Sequence, residues 1–481
     1  MNTARNILRT LAWVLFFCAI PATSLGTAPS QNPQLTNGRT DRAPLQLPAD
    51  TLPDYSEAVI PADPAGQRLA LSRSQCVEIA LSHNPTIRVA DMEITRADYS
   101  KKEVLAQLLP NVSFTGTYQR AVELQTVSMN MGGQSQKLKM GSDNNWSFGF
   151  GASVPLVAPQ LWKSLQISDL QILANAEQAR ASRLDMVDQV NRAYYALLLA
   201  QATMQVVRKN YNQAVFNADI FRKRYLLGTG TEYDTLRTAV NVRNIEPELL
   251  QADIAIRQAR LQLKVLLSLP PDAIVVATTS LQALRDEMHA HATALPSLQD
   301  NTQLRSMSIQ DSILQKNISM QKLSFLPTLG ASFSYSWNAM SNGNAFRRMD
   351  FNPYSYVALQ LSVPLFTGGS RWYGLKDARL QRKELQLQRE NLVSSLQMQT
   401  ELAIDNINRE ANQIEASQKG MEQAARAYDI MQRSFELGAA SWLDLRDSEL
   451  TNTTAQLNYY QAIYNYLVSV SQLDLLLGRN Y

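Results

Sequence analysis

Cysteine is almost missing from this chain, with two in 481 residues. Cys18 falls inside an apolar N-terminal stretch, so Cys76 is the one thiol expected in the mature protein and no internal disulfide can form. The bulky Phe17 before Cys18 stands where lipoprotein processing requires a small residue, so no lipid anchor is expected there. Histidine is also scarce: His83, His289 and His291 are the only three. An H-x-H pair and a lone thiol at no ligand spacing make a poor metal centre, and no Gly-rich phosphate loop follows a strand. Without convergent acid–base or nucleophilic groups, the chain is not expected to be an enzyme or to carry a cofactor. Lys and Arg number 45 against 42 Asp and Glu, a net charge of +3, so there is no basic excess of the kind nucleic acid requires. After the first twenty residues no uninterrupted apolar run reaches the length of a membrane helix.

Proline and glycine are missing where it matters most. Neither occurs from Gln160 to Leu227, and a continuous helix over that stretch would be roughly 100 Å long. Met186, Val190, Ala193, Leu197, Ala200, Met204, Val207 and Tyr211 step alternately by four and three, the spacing of a coiled-coil seam. A comparable run from Leu375 to Leu437 is broken only by Gly420, and its seam is less regular. Return arms are expected over about Thr231–Leu269, with a kink at Pro247, and over Ser441–Leu477.

Before each long helix stand alternating segments. Val112, Phe114 and Tyr118 oppose Ser113, Thr115, Thr117 and Gln119; Trp146, Phe148, Phe150, Ala152 and Val154 oppose Ser147, Gly149, Gly151 and Ser153. In the second half Leu329, Ala331, Phe333, Tyr335 and Trp337 alternate with Gly330, Ser332, Ser334 and Ser336, and Val357, Leu359, Leu361 and Val363 with Ala358, Gln360 and Ser362. An apolar side opposite a small polar side, with aromatics toward the ends, fits a membrane-barrel strand with lipid outside and water inside. A half-buried strand of a soluble sandwich alternates in the same way, but helices of such length have no place in one.

The whole plan is stated twice. Ser153-Val154-Pro155-Leu156 returns as Ser362-Val363-Pro364-Leu365, offset by 209; Gly228 and Asp234 return as Gly438 and Asp444, offset by 210. The expected organisation is a signal peptide over residues 1–26, a Pro- and Asp-rich leader over 27–68, a first repeat over 69–269, a linker over 270–298 with a small helix at Leu281–His289, and a second repeat over 299–481. Arg5 and Arg9 ahead of Leu11–Ile20 and the small residues that follow carry the signal assignment. Ser72 is the expected cap of the first helix, which Asn84-Pro85 interrupts.

Four strands cannot close a membrane barrel, because unpaired edge groups are penalised by several kcal/mol each. The barrel must therefore be shared. Three copies give twelve strands, although two or four copies also close the edge.

The doubled plan, the Leu-rich opening ending at Asn84-Pro85, Leu109-Pro110 before a strand, the repeated Ser-Val-Pro-Leu and the Gly-x₅-Asp turns together resemble the TolC-like outer membrane efflux proteins. The resemblance covers about Leu69 to the C-terminus. It implies an α+β membrane protein: a homotrimer with a twelve-stranded β-barrel, four strands per protomer, continuous with a long helical coiled-coil tunnel across the periplasm. It further implies a Gram-negative outer membrane location, contact with outer membrane lipid, and docking on a periplasmic adaptor protein and an inner-membrane pump or transporter, in efflux or type I secretion. Asp444 and Asp447 match two family aspartates that line the periplasmic mouth as acidic rings; their i, i+3 spacing puts both on one helix face. Both also suit an ordinary helix start. Gly228, Asp234, Gly438 and Arg446 match the helix turns where neighbouring helices are tied in the closed state, with Arg446 or Arg433 as candidate partners of Asp234. A periplasmic structural coiled coil or adaptor without a barrel is the alternative, and the aromatic-flanked strand pairs in both halves argue against it.

Overall fold

A computed structural model describes residues 68–131, 134–286, 297–342 and 350–479. The expected signal and leader up to residue 67, and His289 and His291 of the linker, lie outside these. Among the described residues the chain runs β1 (Arg68–Leu71), α1 (Arg73–His83), α2 (Pro85–Ala106), β2 (Asn111–Arg120), β3 (Gln125–Met131), β4 (Gln134–Met140), β5 (Asn144–Val157) and α3 (Pro159–Leu226). It continues through α4 (Glu232–Leu267), β6 (Ile274–Ala277), α5 (Leu281–Asp286), α6 (Thr302–Leu323), β7 (Thr328–Ser341), β8 (Asn352–Ser362), α7 (Ser370–Glu436) and α8 (Trp442–Leu477).

The two long helices have 68 and 67 residues and the two return helices 36 each. By the helix rise each long helix spans roughly 100 Å. All eight seam residues from Met186 to Tyr211 are buried, because α3 packs that stripe against α4 and α8 while its other faces remain more open. The seam of α7 is sparser, with Leu396, Ile407 and Ile414 among its few buried apolar residues. Helix α4 passes through Pro247, and α7 passes through Gly420.

The strands β2, β5, β7 and β8 form one antiparallel sheet in that order. Register decides what this sheet can face, since paired residues share a side. Phe114 is opposite Phe150, and Phe150 is opposite Tyr335; Tyr118 is opposite Trp146, and Phe148 opposite Trp337. Phe333 is opposite Val357, and Ala331 opposite Leu359. All of these lie on one face. The other face carries Ser113, Thr115, Gly149, Gly151, Ser334 and Ser336. The sheet is therefore apolar on one side and small-polar on the other, and its outer strands β2 and β8 pair with no further strand among the described residues.

Two additional pairings are absent from the sequence expectation of two strands per half. The hairpin β3–β4 stands between β2 and β5 as its own two-stranded sheet. Strand β6, inside the expected linker, pairs in parallel with β1. The linker helix is present as Leu281–Asp286.

Buried asparagines fix where the shorter helices begin. Asn84 caps α2 by accepting from Thr86 N at 2.8 Å and donates to Leu266 O at 2.8 Å. Asn301 caps α6 by accepting from Gln303 N and Leu304 N, both at 3.0 Å, and donates to Leu476 O at 2.7 Å. Each serves an orphan amide at one helix start and a carbonyl near the end of a return helix. Nearby, Tyr194 is fully buried and reaches Leu71 O at 3.2 Å and Thr279 Oγ1 at 2.9 Å, tying α3 to the β1–β6 segment. Cys76 lies in the same core, and burial pushes its thiol up to about 11.

Candidate functional site

The two long helices end in the same way, and the chemistry of the turn explains why. Gly228 and Gly438 adopt φ of 72° and 76°, a left-handed conformation open to glycine and costly for other residues. This lets Thr229 N reach back to Arg224 O at 2.9 Å and Ala439 N to Ser434 O at 2.8 Å, closing each helix with the 6→1 bond of a Schellman turn. Each return helix then starts from a hydroxyl cap. Thr231 Oγ1 accepts from Asp234 N at 3.1 Å, and Ser441 Oγ accepts from Asp444 N at 3.3 Å.

Both turn aspartates fold onto their caps. Asp234 Oδ2 accepts from Thr231 Oγ1 at 2.7 Å. Asp444 Oδ2 accepts from Ser441 Oγ at 2.6 Å and from Ser441 N at 3.2 Å, completing a capping box. The Ser441 hydroxyl, then its backbone amide, hold the Asp444 carboxyl below the usual carboxylate range, while the group stays in solvent. Asp447 is exposed one turn further on. The structure thus leaves one carboxylate engaged at the cap and one open at the same helix end.

Within the chain both candidate arginines take partners on their own helices: Arg446 pairs with Glu449 at 3.6 Å and Arg433 with Asp429 at 2.9 Å. Spacing explains both: each pair is i, i+3 or i, i+4 on a single helix, closer at hand than a residue on the other turn.

An aromatic cluster that sequence reading missed joins the two turns. Phe221 of α3 meets Trp442 of α8 with ring centroids 5.3 Å apart and Phe435 of α7 at 5.9 Å; Phe435 and Trp442 are 6.1 Å apart. Leu445 packs beneath them, fully buried. The Arg224 guanidinium lies 5.6 Å from the centroids of both Phe221 and Phe435, in cation–π contact with each. Their offset of 7 between Phe435 and Trp442 across the Gly438 turn was the available signal. Around this cluster Leu226, Leu227, Tyr233, Leu437 and Leu443 are all exposed.

Comparison with known proteins places these turns and the sheet in one family. The family described as outer membrane efflux protein matches residues 76–268 and again 296–479. The outer membrane protein TolC of Vibrio cholerae is 22% identical over 335 residues, 69% of this chain and 76% of that protein. The pyoverdine export outer membrane protein OpmQ of Pseudomonas aeruginosa is 24% identical over 60% of each chain. Among solved structures, CusC superposes with a TM-score of 0.67 over 86% of this chain and 93% of its own, at 17% identity. The open state of the Neisseria gonorrhoeae MtrE outer membrane channel gives 0.67 over 84% and 88%, at 18% identity. These likenesses set aside a soluble coiled coil or adaptor. The chain belongs to the outer membrane efflux protein family, the outer membrane channels of efflux and secretion.

Proposed function

We propose that three copies of this chain close a twelve-stranded barrel in the outer membrane and join their helices into a tunnel through the periplasm. The observation that carries this is the two-faced sheet whose outer edges, on β2 and β8, are unpaired among the described residues. An open sheet edge is intolerable in hydrocarbon, and the apolar face suits lipid while the small-polar face suits a water-filled lumen. Three copies supply twelve strands, within the range of known barrels.

The helical turns are the periplasmic mouth in this reading. Three-fold symmetry would gather six carboxylates, Asp444 and Asp447 from each copy, around one opening, where they bind cations and disfavour anions. Gly228 and Gly438 set the turns, while Asp234 and Arg446 face neighbouring helices. The apolar tip of Leu226, Leu227, Tyr233, Leu437 and Leu443 supports docking of a periplasmic adaptor, which links the tunnel to an inner-membrane pump or transporter that supplies the energy. The test is the mass of the detergent-solubilised particle together with its single-channel current. A trimer whose current is blocked by multivalent cations supports the reading; a folded monomer removes it.

A further inference from the structure

At the paired turns one cation is fixed in place and left without an anion. Arg224 lies in the last turn of α3, four residues before Gly228, and is exposed. Its guanidinium stands 5.6 Å from the ring centroids of both Phe221 and Phe435, so two helices share one charge. Phe221 and Phe435 both lean on Trp442, and the cluster that joins the turns thereby sets where this side chain sits. Among the described residues no oxygen accepts from its N–H groups.

The neighbouring carboxylates are engaged elsewhere or stand apart. Asp219 pairs with Lys223 at 2.6 Å, Asp234 accepts from Thr231, Asp444 accepts from Ser441, and Glu436 accepts from Gln432. Glu232 and Asp447 are exposed near the starts of α4 and α8, and neither pairs with Arg224 among the described residues. The basic residue in the last turn of α7, Arg433, is by contrast already matched to Asp429 at 2.9 Å.

A guanidinium held by two rings has little freedom left to lose on binding. Its planar N–H edges fit a carboxylate fork, which a flexible ammonium does not. Leu226, Leu227, Tyr233 and Leu437, on the same two turns, are between 68% and 85% exposed. A partner that covered them would exclude water and strengthen a charge pair beside them. We propose that the turns dock a protein that presents a carboxylate flanked by apolar side chains, with Arg224 gripping the carboxylate and the turn leucines covering its flanks. This rests on the reading of the turns as the end that meets a periplasmic adaptor, and it specifies the chemistry such an adaptor carries.

The test is a double-mutant cycle on the full chain purified in detergent. Two fluorescent helical peptides serve as probes, identical except for a central Glu or Gln set between leucines one turn away on either side. Binding is read by anisotropy. The Glu peptide should bind wild type about tenfold more tightly than the Gln peptide, or better, and the preference should shrink as salt rises. Arg224→Gln should erase the preference, whereas Arg224→Lys, which keeps the charge but not the fork, should retain part of it. Equal binding of the two peptides, no binding of either, or an undiminished preference in Arg224→Gln would overturn the proposal. So would a preference that emerges only in the Asp444→Ala/Asp447→Ala variant, since aspartates of a neighbouring copy would then already occupy Arg224. Particle mass and channel current, which test the channel reading, do not depend on this preference, so the two ideas fail separately.

Discussion

Phe221 and Trp442 meet edge to face, centroids 5.3 Å apart at 70°, and this contact fastens the end of the first long helix to the start of the second return helix. Both side chains are buried and Arg224 caps Phe221 from outside. Separating the two turns would break this contact and the Phe221–Phe435 contact together; in the proposed channel that separation is the opening of the mouth.

Trp442→Ala should therefore loosen the closed state. Removing a large buried aromatic costs about 3–5 kcal/mol, and the loss falls on the joint between turns. Reconstituted channels should show a raised open probability with the assembled particle still formed. Unchanged gating in a folded variant would mean that the cluster only packs the tip.

The proposed acidic mouth makes a separate demand. Replacing both Asp444 and Asp447 with Ala should abolish block of the current by multivalent cations and reduce cation preference, while barrel and oligomer survive. Asp234→Ala should act differently, weakening the Thr231 cap and easing opening without abolishing block. Block at wild-type strength in the double variant would reduce Asp444 and Asp447 to helix-start carboxylates.

Asp444 also sets a pH dependence with a definite sign. Its folded pKa is lowered by Ser441, so its contribution is present above the unfolded carboxylate value and is lost as pH falls through the folded one. Melting of wild type and Asp444→Asn should differ at neutral pH and converge on acidification. A difference that grows toward acid would contradict the assignment.

A proline at Leu197 should break α3 at its most tightly packed stretch, where Leu197 is fully buried. The local cost is at least about 3 kcal/mol, and the yield of assembled channel in outer membrane fractions should fall sharply. Normal yield would mean that the long helix is not needed as a continuous rod.

What the sequence revealed and what it hid have physical reasons. The Met186–Tyr211 seam was legible because a single period persists over eight residues, and all eight are buried. Sheet faces were legible because successive residues of a strand point to opposite sides, and here one side is apolar and the other small-polar. The hairpin β3–β4 alternates as well, with Val127, Met129 and Met131 against Thr126, Ser128 and Asn130, and Leu138 and Met140 against Lys137 and Lys139, so its signal was present and the expectation of two strands per half passed over it. Strands β1 and β6 have four residues each, too short to carry a period. Glu449 lay in view: Trp442, Leu445, Glu449 and Asn452 step by three, four and three, and all are buried. A charged residue at a seam position was the signal for the Arg446–Glu449 pair.

Shared closure of the barrel is the claim on which the channel reading depends, and mass measurement in detergent tests it most directly. With the outer edges of β2 and β8 unpaired among the described residues, the solubilised particle should weigh three chains and retain its strand signal. A stable monomer with the same strand content would contradict it.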